Sequence, residues 1–285
     1  MNVDPLDSKL AALGEHLDAL GAVVVAFSGG ADSAFLAAVA HRRLGAERCR
    51  CITAVSPSLA DAEADDCARL AAEWGLNWQT VITDEMHDAA YRHNDPDRCY
   101  HCKRALMDAL DPVIAAINTE QQAQAGAAPA TVVLGVNLDD LGDHRPGQRA
   151  AAEAGAEFPL VDAGFTKADV RAASRRLGLR TWNKPAAACL ASRIPYGTEV
   201  SVAVLGRVER AETVLRSLGF EQVRVRHFGD TARIEVERHR LDDLRAHRMA
   251  IIEQLRSIGY GEITFDPDGF RSGSLNGPLA TASPL

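Results

Sequence analysis

Val23, Val24 and Val25 form a short run with no polar face, the pattern of a strand buried on both sides of a parallel sheet. Before them Leu10, Leu13, Leu17 and Leu20 recur at helical spacing and predict an amphipathic helix over residues 6–20. After them Ser28-Gly29-Gly30-Ala31-Asp32-Ser33 turns the chain, and Ser33 to Leu44 reads as a helix stopped by Gly45. Strand-like stretches return at Arg50–Val55, Asn77–Ile82 and Thr131–Val136, with helical segments near residues 59–74 and 103–116. A helix near residues 147–154, a short strand at Phe158–Leu160 and a helix at Lys167–Leu177 complete the series. Strands alternating with helices predict an α/β domain built on a doubly wound parallel sheet.

From about residue 200 the rhythm changes. A helix at Arg207–Leu218, a hairpin of Val223–His227 and Ala232–Glu237, a helix at Leu241–Ile258 and a strand at Gly261–Phe265 follow one another. That order predicts a small α+β domain with an antiparallel sheet. The expected organisation is residues 1–197, then 198–274, then a loose tail over 275–285, with the break near Tyr196-Gly197.

A strand, a glycine turn and a helix start together make an anion site, because free N–H groups point outward and the helix dipole favours negative charge. Two familiar loops are excluded. No Lys-Ser/Thr pair follows the last glycine, as a Walker A loop requires, and no Gly-x-Gly-x-x-Gly is present. Ser28-Gly-Gly-x-Asp-Ser33 resembles instead the pyrophosphate loop of the adenylating ATPases, which split ATP between its α- and β-phosphates. The nucleotide is expected against Ala26, Phe27, Ser28, Gly29, Gly30, Asp32 and Ser33, with Val55 at the end of the second strand and Asn137 after the fourth.

Composition changes this picture in two respects. The formal charge of −8 over 285 residues argues against a protein that coats nucleic acid. No run of about eighteen apolar residues and no charged-then-apolar leader is seen, so a soluble cytoplasmic chain is expected. The six cysteines in such a chain point to metal or sulfur chemistry more than to disulfides. Cys49, Cys51 and Cys67 fall in a strand and a helix and read as small buried hydrophobes. Cys99-x-x-Cys102, where a loop enters a helix, fits either a redox pair or two ligands of one metal or cluster edge. Cys189 is the one further cysteine in a loop-like segment.

Four blocks make a closer resemblance: Phe27-Ser-Gly-Gly-Ala-Asp-Ser33, the loop from Asp139 to Gly147, Ala188-Cys-Leu-Ala-Ser-Arg193 with Pro195-Tyr-Gly197, and Gly269-Phe-Arg-Ser-Gly-Ser274. Together they resemble the ATP-dependent sulfur transferases that build the nickel-pincer nucleotide cofactor of lactate racemase. The resemblance implies adenylation of a carboxylate on a pyridinium dicarboxylate mononucleotide, followed by attack of sulfur with loss of AMP. One branch of that family sacrifices the sulfur of its lone cysteine. The other holds a [4Fe–4S] cluster on three cysteines, and the presence of Cys99 and Cys102 beside Cys189 implies this second branch.

Further roles follow from the chemistry and the resemblance. Mg²⁺ would offset phosphate charge, with Asp32 facing the phosphates and Asp139, Asp140 or Asp143 adding oxygen ligands; loop solvation and capping are the alternative for these acids. Arg224 and Arg226, two apart on a strand, share a face and could form a fork around a phosphate with Arg193 and Arg271; a solvated sheet face is the rival. The resemblance places a substrate-phosphate site at Arg224, Arg226 and Arg271, and associates Glu212, Glu235 and Asp243 with activity. A small phosphorylated pyridinium substrate, ATP, Mg²⁺, the [4Fe–4S] cluster and a homo-oligomer are the expected partners. A cluster-dependent tRNA thiolase would need a basic RNA surface, which the acidic charge opposes. An ammonia-using amide synthetase would need no cluster at all.

Overall fold

The computed structural model describes residues 4–122, 129–142 and 146–271. They divide into two units, one comprising residues up to 88 with 97–187, the other 89–96 with 188 onward. The second unit takes in Ala188–Gly197, ahead of the break expected at Tyr196-Gly197, and recruits a piece of the earlier chain.

In the first unit α1 (Pro5–Leu20) leads into β1 (Val23–Ala26), α2 (Ala31–Leu44), β2 (Cys49–Val55), α3 (Asp61–Trp74) and β3 (Trp78–Ile82). A short α4 (Ala89–His93) belongs to the second unit. The chain then forms α5 (Arg98–Gln122), β4 (Thr131–Val133), α6 (Pro146–Glu153), α7 (Pro159–Asp162) and α8 (Lys167–Arg176). The four strands lie in the order β3-β2-β1-β4, every pair parallel, with Val25 opposite both Cys51 and Val133. Val23, Val24 and Val25 are 2% exposed or less. Val23 and Val25 join Leu13, Leu17, Phe35 and Val170 on one face, while Val24 joins Ile52, Leu110 and Val132 on the other. Burying each such side chain stabilises the fold by about 1.5–3 kcal/mol, which explains why this strand has no polar position. Helices cover both faces, so the sheet is doubly wound as expected.

Two local differences have clear causes. The strand expected at Phe158–Leu160 reduces to a single bridge between Val133 and Glu157, after which the chain turns into α7. Pro159 has no N–H for a ladder and suits the first position of a helix. Helix α5 starts at Arg98, earlier than the expected residue 103, and runs through Pro112. The bond lost at Pro112 is offset by burial of Leu106, Met107, Leu110 and Ile117 against the sheet. Cys99 consequently sits in the first turn of a helix, with Cys102 one turn further on, rather than before it.

The second unit contains α9 (Val202–Ser217), β5 (Val223–Phe228), β6 (Thr231–Val236), α10 (Leu241–Ala246), α11 (Arg248–Ile258) and β7 (Glu262–Phe265). Strands β5 and β6 form the expected antiparallel hairpin, but β6 pairs with β7 in parallel, so the sheet is mixed. The cause is the connection: α10 and α11 supply a helical crossover, which returns the chain in the same direction. Ala211, Leu215, Val223, Val225, Ile234, Ile251 and Leu255 make this unit's core. No helix among the described residues is long and apolar enough to cross a membrane.

Candidate active site

Strand order reverses between β1 and β4, and ligands of open parallel sheets bind at the carboxyl ends of strands beside such a reversal. The loop leaving β1 is Phe27–Gly30. Phe27 is buried, and its carbonyl accepts from Thr53 Oγ1 at 2.7 Å. Ser28 and Ser33 join hydroxyl to hydroxyl at 2.9 Å, and Ser33 Oγ also accepts the Ser28 N–H, which folds the loop into a closed ring. Gly29 has φ +66°, and a Cβ there would stand 2.8 Å from Cys67 Sγ. Gly30 is the N-cap of α2, so the first-turn N–H groups of Ala31, Asp32 and Ser33 have no intrahelical partner. They are the N–H groups expected from the sequence to face the nucleotide.

The loop after β4 meets this turn from the other side. Asn137, fully buried, donates through Nδ2 to Asp32 Oδ1 at 3.1 Å. Its N–H donates to Asp140 Oδ2 at 3.2 Å, and its Oδ1 accepts the Asp139 N–H at 3.0 Å. Burial, and then the charge of neighbouring Asp140, push the Asp32 carboxyl above the usual aspartate range. Two carboxylates crowded in this way suit a divalent cation, so the pair fits the expected Mg²⁺. Asp139 has another occupation: its Oδ2 accepts the Lys167 N–H at 2.6 Å, at the start of α8. Asp143 lies outside the described residues. A separate group, His16, Glu157 and Asp162, brings ligand atoms within 4.8 Å of one another and contains none of the acids expected to hold Mg²⁺.

Two participants give little signal in the sequence. A Cβ on Gly135 would lie 2.6 Å from Ser33 N, so the β4 loop can close on α2 only with glycine there. Its one sign is a glycine at the end of a β-branched run. Lys184 Nζ donates to the Gly29 carbonyl at 3.1 Å and to Glu63 and Asp66 at 2.8 Å each. Burial alone would lower the Lys184 ammonium, but the hydrogen bonds it donates to Asp66 and Glu63 outweigh it and hold the pKa above the ordinary lysine value. Nothing in Asn183-Lys184-Pro185 announces this contact.

The cysteines separate sharply. Cys49, Cys51 and Cys67 are buried, whereas Cys99 and Cys189 are exposed and Cys102 is half-buried. Cys99 and Cys102 stand one turn apart on α5, in the first unit, and a Cβ on Gly147 would approach the Cys99 carbonyl to 2.9 Å, which fits α6 closely against that turn. His101, between them, turns to Asp88, with Nδ1 2.9 Å from Oδ2. Cys189 belongs to the second unit and caps a 3-10 turn over Leu190–Arg193.

Within the second unit the arginines gather around two buried acids. Arg226 donates through Nε and Nη2 to Glu235 at 3.0 and 2.8 Å and through Nη1 to the Ser192 carbonyl at 2.9 Å. Glu212 is fully buried and accepts from Arg193, Arg216 and the Val225 N–H. Burial would raise the Glu212 carboxyl, yet Arg193, Arg216 and Arg224 hold it below the usual glutamate value. Arg224 is stacked over Phe270 and only 7% exposed. Burial, then the charges of Arg193, Arg226 and Arg216, bring its pKa down to about 10. Positive charge exceeds negative in this cluster, the condition for binding an anion.

Three expected residues are placed differently. Arg193, assigned to a substrate phosphate, has Nε and Nη2 on Glu212 at 2.8 and 3.1 Å, and Nη1 on the Ala188 and Cys189 carbonyls at 2.5 and 2.9 Å. All its nitrogens are engaged inside the chain. Arg271 is exposed and paired with Asp268 at 3.3 Å. Asp243 bonds Arg240 at 2.7 Å in an exposed pair. Ser272, Gly273 and Ser274 lie outside the described residues.

A helix start cradled by a serine–glycine ring, at the reversal point of a parallel sheet, is the arrangement of a PP-loop enzyme. The family model described as NAD synthase matches residues 9–108. Over 277 residues the chain is 39% identical to the pyridinium-3,5-bisthiocarboxylic acid mononucleotide synthase of Lactiplantibacillus plantarum, covering 97% of each chain. An uncharacterised Synechocystis sp. protein is 40% identical over 274 residues, 95% of this chain and 98% of the other. An uncharacterised Methanocaldococcus jannaschii protein is 26% identical over 253 residues, 88% and 91% of the two chains. The chain belongs to the family of the pyridinium-3,5-bisthiocarboxylic acid mononucleotide synthases.

Proposed function

We propose that the protein is an ATP-dependent sulfur transferase acting on pyridinium-3,5-dicarboxylate mononucleotide. A carboxylate oxygen is a poor leaving group. Attack of that oxygen on the α-phosphorus of ATP forms an acyl adenylate and releases pyrophosphate. Sulfide then displaces AMP at the acyl carbon, leaving a thiocarboxylate and a proton. The open N–H groups of Ala31–Ser33 bind the departing pyrophosphate, and Asn137 orients the Asp32 carboxylate beside it. Asp32 and Asp140 would hold Mg²⁺, which polarises the α-phosphate. Arg224 takes the substrate's phosphate, because the surplus of buried guanidinium charge around it favours an anion, whereas Arg226 spends all three nitrogens on Glu235 and the Ser192 carbonyl and adds only its charge.

The partition of the cysteines carries the sulfur assignment. The three that the resemblance marks are the three that reach solvent, while the other three are sealed in the core. As the resemblance implies, the thiolates of Cys99, Cys102 and Cys189 would together hold a [4Fe–4S] cluster, which would offer one iron open to an extra sulfide. The test is anaerobic reconstitution followed by iron analysis and turnover with ATP, sulfide and the dicarboxylate. About four irons per chain and a thiocarboxylate product are expected. Full activity of iron-free protein with sulfide removes the cluster role, and absence of AMP removes the adenylation.

A further inference from the structure

Cys189 ends an irregular, exposed stretch, residues 185–189, where a backbone would ordinarily wander. Its carbonyl is nevertheless held twice, by the Ser192 N–H at 2.9 Å and by Arg193 Nη1 at 2.9 Å. The same Nη1 also takes the Ala188 carbonyl and Ser192 Oγ. The opposite edge of that guanidinium grips both oxygens of Glu212. Arg193 is 2% exposed and Glu212 not at all. Glu212 is in turn fixed to β5 through the Val225 N–H at 3.1 Å, and to its own helix through Arg216. A continuous chain of bonds therefore runs from the sheet, through one carboxylate and one guanidinium, to the main chain of Cys189.

We propose that Arg193, oriented by Glu212, is the positioning residue of Cys189: it fixes the backbone from which the thiol projects and leaves the sulfur itself exposed. This rests on the reading of Cys189 as a sulfur-handling residue. The geometry accounts for arginine in particular. A planar guanidinium can satisfy a carboxylate along one edge and carbonyls with its remaining nitrogen, whereas a lysine ammonium is a single point of charge. A buried ion pair kept only for stability has apolar substitutes, but none of them would reach the two carbonyls. The chain beyond Arg193 is pinned separately, since the buried Asn94 amide donates to the Pro195 and Thr198 carbonyls at 2.8 Å each. The loop is thus clamped on the side away from Ala188, and Arg193 controls the side that carries the cysteine.

The test is Arg193→Lys, which keeps the charge beside Glu212 and loses the fork. Circular dichroism and the thermal midpoint establish that the variant is folded. In metal-free protein, amide exchange is followed at Ser192, whose N–H is bonded to the Cys189 carbonyl; a rise of about tenfold or more is expected. In loaded enzyme, sulfur transfer is expected to fall by about tenfold to a hundredfold, as misplacement of a reacting group does, with the KM for ATP unchanged. Unaltered Ser192 exchange, unaltered transfer, or an equal loss of ATP–pyrophosphate exchange overturns the proposal. Should the variant not fold, the wild type decides: Ser192 must exchange much more slowly than residues 187 and 188, and equal rates overturn it. The exchange measurement needs no reaction, so a wild type that transfers no sulfur refutes the functional reading without touching this one.

Discussion

The Asn137 side chain and the Asp32 carboxylate meet at 3.1 Å, and this bond joins the loop after β4 to the first turn of α2. The same side chain accepts the Asp139 N–H through Oδ1, and the Asn137 main-chain N–H donates to Asp140, so one buried residue links all three acidic positions, two of them through its side chain. Asn137→Ala should therefore cost about 1–3 kcal/mol of stability, from buried partners left unsatisfied. ATP–pyrophosphate exchange should fall by about tenfold or more, because positioning near the phosphates is lost. Thermal unfolding and an exchange assay measure the two effects. Undiminished exchange would show that Asp32 needs no such guidance.

Lys184 bonds a main-chain carbonyl of the glycine loop, that of Gly29, at 3.1 Å. Lys184→Met removes the shared partner of Glu63 and Asp66 and frees the Gly29 carbonyl. A loss of about 1–3 kcal/mol is expected, since these groups are only partly buried. The KM for ATP should rise, while Lys184→Arg retains part of both. A full stability loss with an unchanged KM would confine Lys184 to holding α3.

Gly135→Ala probes the close approach of the β4 loop to α2. The added methyl would sit 2.6 Å from the Ser33 nitrogen, against backbone that cannot swing aside. Overpacking of this kind costs about 1–3 kcal/mol. Nucleotide binding, read by calorimetry, should be lost before the fold is. Normal ATP affinity in the folded variant would mean the loop can relax away from the helix.

What could be read from the sequence followed local rules. The valine run, the leucine spacing and the glycine turn each carry their own period or conformational demand, so β1, α1 and the turn into α2 were legible. The exposed and buried cysteines could be sorted by whether they fell in loop-like or apolar segments. Long-range pairings were not. Lys184 meets Gly29 from 155 positions away, and no local pattern encodes that bond. Arg193 was read as a phosphate ligand because its charge was visible and its partner Glu212 was not. The parallel pairing of β7 also depends on how a crossover packs, not on the strand's own residues.

Around Glu212 and Glu235 the arginines outnumber the acids, and Arg224 is held down at about 10 by burial and by like charges. An anion bound there relieves this repulsion. Inorganic phosphate or sulfate should raise the thermal midpoint, stabilising by about 2.7 kcal/mol at a hundred times the dissociation constant. Arg224→Gln should remove most of that shift and raise the KM for the phosphorylated substrate, leaving the KM for ATP in place. An anion response that survives in the variant assigns the site to other residues.

Asp169 gives a pH dependence whose sign is fixed. It closes a capping box with Thr166 at the start of α8 and bonds Lys9 at 2.6 Å. The hydrogen bond from Lys9, then that from Thr166, lowers its pKa to about 2. An unfolded aspartate titrates near about 3.9. Because the folded value is the lower one, the contribution is complete above the unfolded value and disappears as pH falls through about 2. Asp169→Asn should then be less stable than the wild type by about 1 kcal/mol at neutral pH, the usual worth of a helix cap. The difference should close on acidification across that window, as measured by denaturant unfolding at several pH values. A gap that persists at the acid end would mean that the shape of the cap matters at this helix start and its charge does not.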